Sequence, residues 1–569
     1  MLMTALKVYN NILQTSVTKV DLGAFYTPPV LSEWVAKLAC KYVKNSKSII
    51  LDPSSGDGAL LAPVSKICSN PLIAVDINSA EFFALRRKIH PTNKLTTYEL
   101  NSLYPSREVS TLSFWKQFFS KKDIGVVISN PPWGSKVWQT PQELLNNEFT
   151  LSTGQYDSYE LFLEMMIKST KEGTFHVFII PDSIFLPEHK PLRELILSKT
   201  KIHSISRLGE GFFKGVYRGT CVFVLEKTHP DKSHKVECMR LNRSARNEVL
   251  KGNCSLAEAF EAYSHTVYQD RFLKNSEKLF DIDILDKETT VDKIGGVRTL
   301  KLSDYFISGR GVEISKSGKL YICDKCHSAN PIPRKNNYIN CKCGYQIDTE
   351  NKLYSQVIVD KEIKNAVPLI VGEDIRRYSC KAKRYLQKDI KGIQYKCATT
   401  FGEKKLLIRK TGIGIKSAID LSGAYTNQVV FHYVAKDETF VPKFITEYVQ
   451  GILSSRVLMS YYLQKYGDNE WRSHPYITQK VISQLPIPDF KKSKKAYKLA
   501  EEIAENVKQM SNANSDEYSK LDIQIEKLVV KIFSLSNKDC KWVINTLKES
   551  EQLEPIRSLV LENHNIIIG

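Results

Sequence analysis

Asn130-Pro131-Pro132-Trp133 is the part of this chain whose residue types and order most directly suggest chemistry. A planar amine is a poor nucleophile because its lone pair is delocalised. Two acceptors placed on its two N–H hydrogens draw the nitrogen toward tetrahedral geometry. Asn130 offers a side-chain carbonyl, and Pro131 a backbone carbonyl that a proline-fixed turn can aim. Both acceptors strengthen as positive charge develops on the nitrogen, so they favour the transition state over the ground state. Trp133 adds a flat face on which a planar ring can stack.

A second group of residues has the character of a ligand cradle. LDPSSGDG (51–58) ends an apolar run with a glycine-bearing turn. Gly56 and Gly58 allow a tight turn and a close approach to backbone N–H groups. Alone, such a turn is equally an ordinary strand end. AVDIN (74–78) places Asp76 about twenty residues beyond the turn, where an acid can accept hydrogen bonds from ribose hydroxyls.

These residues need strands and helices to hold them. SIILD (48–52), LIAVD (72–76), VVISN (126–130), FHVFII (175–180) and CVFVLE (221–226) read as short strands. Glu81–Ile89 and Ser158–Ser169 read as helices between them. Alternation of this kind predicts a mostly parallel, doubly wound α/β sheet, with ligands beyond the carboxyl ends of its strands. From about residue 231 the texture becomes richer in Lys, Tyr, Asn and Ser, which suggests a separate α+β domain to about 490. After KKSKK (491–495), Leu521, Ile525, Leu528 and Ile532 make one helical stripe. The expected division is therefore 1–230, 231–490 and a helical segment 491–569.

With FYTPP (25–29) and NSL (101–103) added, the order FYTPP, DPSSGDG, AVDIN, NSL, NPPW resembles the motif series of amino-methylating DNA methyltransferases. It is most similar to the TaqI-type adenine enzymes, over residues 21 to about 226 and more weakly beyond. The resemblance implies a Rossmann-like seven-stranded sheet followed by a mixed α+β target-recognition domain. It implies S-adenosylmethionine as cofactor and N6 of a flipped-out adenine in double-stranded DNA as target. Thr27 would contact the methionine part of the cofactor. Asp52, Ser54 and Gly56 would surround its amino and carboxylate ends. Asp76 would hold the ribose, Ile77 would pack on the adenine ring, and Phe162 would lie near the cofactor. Asn101 and Ser102 stand where the family usually has an acidic residue facing the cofactor adenine, so Asn101 is a departure. Asn130 serves both cofactor and target. Trp133 stands where Tyr or Phe is commoner, and Phe213, in FKGVYRGTC, would clamp the flipped base beside it. Asn at the head of the motif, where the cytosine-N4 enzymes carry Ser, points to adenine.

Cys323, Cys326, Cys341 and Cys343 form C-x₂-C-x₁₄-C-x-C among the 12 cysteines. Two close thiolate pairs suit a structural tetrahedral Zn²⁺ in a ribbon-like insert over 321–345. Four reduced, unliganded cysteines remain the alternative, and His327 is a substitute ligand. Arg376, Arg377, Lys381, Lys383 and Arg384, with Tyr378 and Tyr385 interleaved, suit phosphate contacts or else a solvated face. Across the 569 residues the net charge is +19, a surplus that favours a polyanionic partner. No secretory signal and no long apolar run is visible. The reading is a cytoplasmic, nucleoid-associated protein of a bacterium, archaeon or virus with no membrane partner. The resemblance also implies a restriction or defence setting with a cognate subunit. Two other readings compete: an N-P-P-aromatic methyltransferase acting on RNA or on a protein glutamine, and a DNA-binding specificity subunit active only with a partner.

Overall fold

The structure, a computed structural model, describes residues 26–134, 147–153, 156–216, 218–283, 289–315, 317–333, 337–350, 352–395, 401–402, 404–437, 439, 441–466, 476–550 and 554–560. Phe25 of FYTPP and Tyr217 of FKGVYRGTC lie outside the described residues.

Two compact units divide the chain near residue 287. The first is built on one sheet. Its strands are β1 (Ile49–Asp52), β2 (Leu72–Asp76), β3 (Leu95–Glu99), β4 (Ile124–Ser129), β5 (Phe175–Pro181), β6 (Lys201–Gly209), β7 (Thr220–Glu226), β8 (Lys235–Arg240) and β9 (Ser264–Tyr268). They lie in the order β3-β2-β1-β4-β5-β7-β6-β8-β9. β1 to β5 are parallel, and β7 runs against both its neighbours. β4 and β5 are buried along their whole length, as expected of strands covered on both faces. The helices that flank the site are α1 (Pro29–Lys41), α2 (Leu61–Ile67), α3 (Glu81–Lys88), α4 (Thr111–Ser120) and α5 (Ser158–Ser169).

The first seven strands form the expected sheet, and two more extend it. β8 adds parallel to β6, and β9 pairs with β8. The boundary expected near residue 230 therefore falls later, because the chain stays on the sheet after β7. Leaving β6 as an edge would expose a long row of unpaired N–H and C=O groups.

The second unit starts after residue 287. One four-stranded sheet joins Phe306–Arg310, Val430–Ala435, Lys405–Arg409 and Ser417–Asp420. Another joins Ile358–Val359, Arg384–Gln387, Ala366–Ile370 and Tyr425–Thr426. Helices α6 (Ile445–Leu453), α7 (Arg456–Tyr466), α8 (Lys494–Met510), α9 (Ser515–Ile532) and α10 (Asn537–Glu549) accompany them. The segment from 491 is not a unit of its own. α8 packs on α6 and α9, and α10 packs on α7. A Cβ on Gly451 of α6 would come 2.5 Å from Ile503 Cγ2 of α8, so glycine is what permits this approach. Along the expected stripe Leu521, Ile525 and Ile532 are buried, while Leu528 is half-buried and Val529 lies inside. No described helix is long and apolar enough to cross a membrane.

Candidate active site, cysteine cluster and basic hairpin

Strand order reverses between β1 and β4, which makes the crevice at their carboxyl ends the expected ligand site. β1 ends at Asp52 and β4 at Ser129, so the DPSSGDG turn and NPPW both begin there. Four hydrogen bonds join motifs that are far apart in sequence. Asn130 Nδ2 donates to Thr27 Oγ1 at 3.0 Å. Ser54 and Ser129 pair through their hydroxyls at 2.8 Å. Gly56 N donates to Asp76 Oδ2 at 2.7 Å. Ser102 Oγ donates to Pro53 O at 2.6 Å.

The turn after β1 depends on glycine. Gly58 has φ +82°, and a Cβ there would overlap Leu85 Cδ1 of α3. Gly56 has φ +48°, and a Cβ there would meet only Tyr26 Cε1 at 3.9 Å, so its edge borders open space. Among the described residues, Ser55 Oγ and Asp57 Oδ1 are buried without a hydrogen-bond partner. Asp52 is 1% exposed and accepts from Ser54 N at 3.0 Å. Burial pushes its carboxyl up to about 8; the Ser54 amide opposes the rise and the charge of Asp76 adds to it. Burial raises Asp76 too, against hydrogen bonds from Asn78 N and Gly56 N. Polar atoms with no partner among the described residues, and a buried acid with no basic partner among them, fit a ligand that carries positive charge, as S-adenosylmethionine does.

The remaining expected cofactor residues sort differently. Ile77 is 40% exposed just past the carboxyl end of β2, as a ring-packing side chain must be. Phe162 is buried in α5. Ser102 turns inward, its hydroxyl committed to Pro53 O and its carbonyl to Trp115 Nε1 at 2.9 Å, so it shapes the turn after β1 instead of presenting a donor. Asn101 Oδ1 accepts from Leu103 N at 3.0 Å, which occupies one of its two lone-pair sites.

Around NPPW, Pro132 O accepts from Ser158 Oγ at 2.6 Å, whereas Pro131 O accepts no hydrogen bond among the described residues. Trp133 and Phe213 are both buried and meet edge to face, with centroids 5.0 Å apart and planes at 69°. Trp133 Nε1 is buried and has no hydrogen-bond partner among the described residues. A base stacked on Trp133 needs a clearance of about 3.5 Å, one carbon contact, above that ring. For Phe213 to clamp such a base from the side, it must stand back from its present edge-to-face contact with Trp133. Phe212 is equally buried beside it.

Three residues join the site that the motifs alone do not single out. Asp157 caps α5, and Glu160 reaches back to accept from Asp157 N at 2.9 Å. The Asp157 carboxylate also accepts from Gly134 N and from Arg218 Nη1, each at 2.6 Å. An acid three residues ahead of Glu160 at the start of an apolar run is the visible signal for Asp157. Ser158 has only its place beside that cap, and Arg218 only its place in the motif that carries Phe213.

The N-6 DNA Methylase family pattern matches residues 6–287, and the TaqI-like C-terminal specificity domain matches residues 367–487. The chain belongs to the TaqI-type N-6 DNA methylase family. The type II methyltransferase M.HincII of Haemophilus influenzae is 24% identical over 214 residues, 36% of this chain and 37% of its own length. M.HindII of the same species is likewise 24% identical over 214 residues. This chain thus spans little more than a third of the length of these relatives. Among solved structures, the type IIL restriction-modification enzyme MmeI in complex with DNA aligns with 92% of this chain and 75% of its own. That likeness, at TM-score 0.50 and 13% identity, is one of fold.

Neither family match covers residues 288–366, which hold the cysteine cluster. The four Sγ atoms lie within 4.8 Å of one another. Cys323 and Cys343 are 3.7 Å apart, Cys326 and Cys341 3.5 Å. A tetrahedral thiolate cage around zinc has edges of about 3.8 Å, so the spacing fits a cation better than disulfides. Each cysteine pair is followed by a left-handed residue, His327 at φ 60° and Gly344 at φ 83°. His327 is therefore a turn residue next to the cluster and not one of its four members.

The basic stretch proves uneven. Arg376, Lys381 and Lys383 are exposed. Arg384 pairs with Glu373 and is half-buried. Arg377 departs from the expected phosphate contact. Its Nη2 pairs with Asp522 at 2.5 Å, its Nε donates to Ser454 O at 2.8 Å, and Tyr378 beside it is buried. The hairpin of Ile375–Arg376 and Ser379–Cys380 turns these two side chains inward, where α9 supplies the counter-charge.

Proposed function

We propose that this chain transfers a methyl group from S-adenosylmethionine to N6 of an adenine flipped out of duplex DNA, as the modification component of a restriction-modification system. The observation that carries this reading is the pair of acceptors beside the strand-order reversal, Asn130 Oδ1 and Pro131 O. Thr27 Oγ1 takes the Asn130 amide N–H and so fixes which way the amide faces. Ser158 takes Pro132 O, which holds the turn while Pro131 O stays available to a substrate N–H. Trp133 offers its face to the base once Phe213 withdraws.

When bound, S-adenosylmethionine supplies a methyl group activated on a sulfonium. Asp52 is the group beside its ammonium, and Asp76 accepts from its ribose. Ile77 packs on its adenine. Asn at position 130 favours adenine over cytosine. The TaqI-like domain favours duplex DNA over RNA or a protein glutamine, with Arg376, Lys381 and Lys383 as phosphate contacts. Cys323, Cys326, Cys341 and Cys343 hold one structural zinc ion.

The test is incubation with labelled S-adenosylmethionine and duplex DNA, followed by digestion to nucleosides. N6-methyladenine should carry the label, and Asn130→Ala should bind DNA yet transfer nothing. Label only in N4-methylcytosine, RNA or protein would overturn the reading. Metal analysis should find one zinc per chain and none in Cys323→Ser; a wild-type chain that is folded and metal-free refutes the zinc assignment.

A further inference from the structure

The loop between β6 and β7 carries Phe213 and, five residues on, Arg218. Gly211 at φ +101° and Gly215 at φ +77° give this loop bends that other residues rarely adopt. Arg218 is the loop's cationic end. Its side chain is 44% exposed, and one of its five N–H donors, on Nη1, meets Asp157 Oδ2. The guanidinium lies over Gly134, the residue directly after Trp133: a Cβ on Gly134 would stand 3.4 Å from Arg218 Nη2. Asp157 also fixes Gly134 N, and its neighbour Ser158 fixes Pro132 O. One carboxylate thus ties the catalytic turn, the start of α5 and the cationic end of the Phe213 loop together.

An ion pair whose arginine is this exposed contributes little to stability, so holding the fold is a weak reason for the arginine. Its position offers a stronger one. A nucleotide whose base lies on Trp133 brings its own backbone phosphates with it, one sugar away. Arginine presents a planar fork that matches a phosphate, and Asp157 engages one tine of it while leaving the group at the surface.

We infer that Arg218 binds a phosphodiester flanking the flipped adenine, with Asp157 as the positioning residue that aims it. This rests on the proposed methylation of duplex DNA. Arg218 would couple capture of the nucleotide's backbone to placement of the Phe213 loop beside its base.

The experiment uses the full chain, wild type and Arg218→Ala, with duplexes containing the target adenine mapped by methylation-aware sequencing. A neutral methylphosphonate replaces each phosphate flanking that adenine in turn. Binding is measured against salt, and transfer in single turnover. Wild type should lose roughly tenfold or more in affinity at one flanking position. Arg218→Ala should show that loss on unmodified DNA, show no further loss with the methylphosphonate, and have a salt slope shallower by about 0.9. S-adenosylmethionine affinity, measured by calorimetry, should not change. If Arg218→Ala stays as sensitive as wild type to every methylphosphonate, or keeps its salt slope, the phosphate assignment is overturned. If the wild type methylates no duplex, the proposed function itself fails, and the two failures are therefore distinct.

Discussion

Asp52 and Asp522 are both buried aspartates, one in each half of the molecule, and burial pushes both carboxyls upward. They end on opposite sides of the ordinary value. Asp52 sits at about 8, with no cation paired to it among the described residues. Asp522 is held below the usual range because Arg377 and Arg456 reach it at 2.5 and 2.8 Å. The second arrangement is closed. Glu526 extends it by accepting from Arg456 N and Val457 N at the start of α7, at 2.9 and 3.1 Å. A buried acid supplied with its own cations is architecture. A buried acid without one is waiting for charge from outside, and that is the mark of a ligand site.

The largest effect should come from breaking the closed arrangement. Asp522→Ala leaves two arginines facing a low-dielectric interior, one of them nearly fully buried. Loss of one partner of a buried ion pair costs about 3–5 kcal/mol. Urea unfolding should show that loss, whereas Lys383→Ala, on an exposed side chain of the same basic stretch, should stay within about 0.5 kcal/mol. Lys383→Ala should instead lower the salt slope of DNA binding by about one. An Asp522→Ala chain as stable as wild type would erase the contrast between the two aspartates.

What the sequence makes legible follows the same divide. The five motifs of the first unit are readable because each is a backbone feature: a proline turn, a glycine turn, a strand end. Their residue types are dictated by geometry wherever the fold recurs. β3 and β6 do not stand out. LTTYE is half-buried at the sheet edge, and KIHSISRLG buries Ser204, Ser206 and Arg207 among its apolar residues, so neither shows the apolar run of a covered strand. The cysteine cluster is legible from ligand spacing alone. The basic stretch is not, because charge says nothing about partners 145 positions away: Arg377 looks like its neighbours until Asp522 is placed beside it. The contacts of Asp157 with Gly134 and Arg218 are of the same non-local kind.

Asp52 yields the smaller effect, and its sign follows from the direction of the shift. Below pH 8 the carboxyl is largely protonated in the free protein. A cationic ligand beside it favours the ionised form, so binding at pH 7 must expel close to one proton. Affinity for S-adenosylmethionine should then rise with pH by up to about tenfold per unit and level off near pH 8, a change of about 1.4 kcal/mol per unit. Calorimetry at pH 7 in two buffers of different ionisation enthalpy reads the expelled proton directly. It also separates Asp52 from the ligand's own amine, because Asp52→Asn removes only the protein's contribution. Binding that releases no proton in the wild type, or the same number in Asp52→Asn, would mean that Asp52 is already ionised in the free protein. It would then resemble Asp522, and the unpaired buried acid would lose its standing as the sign of the cofactor site.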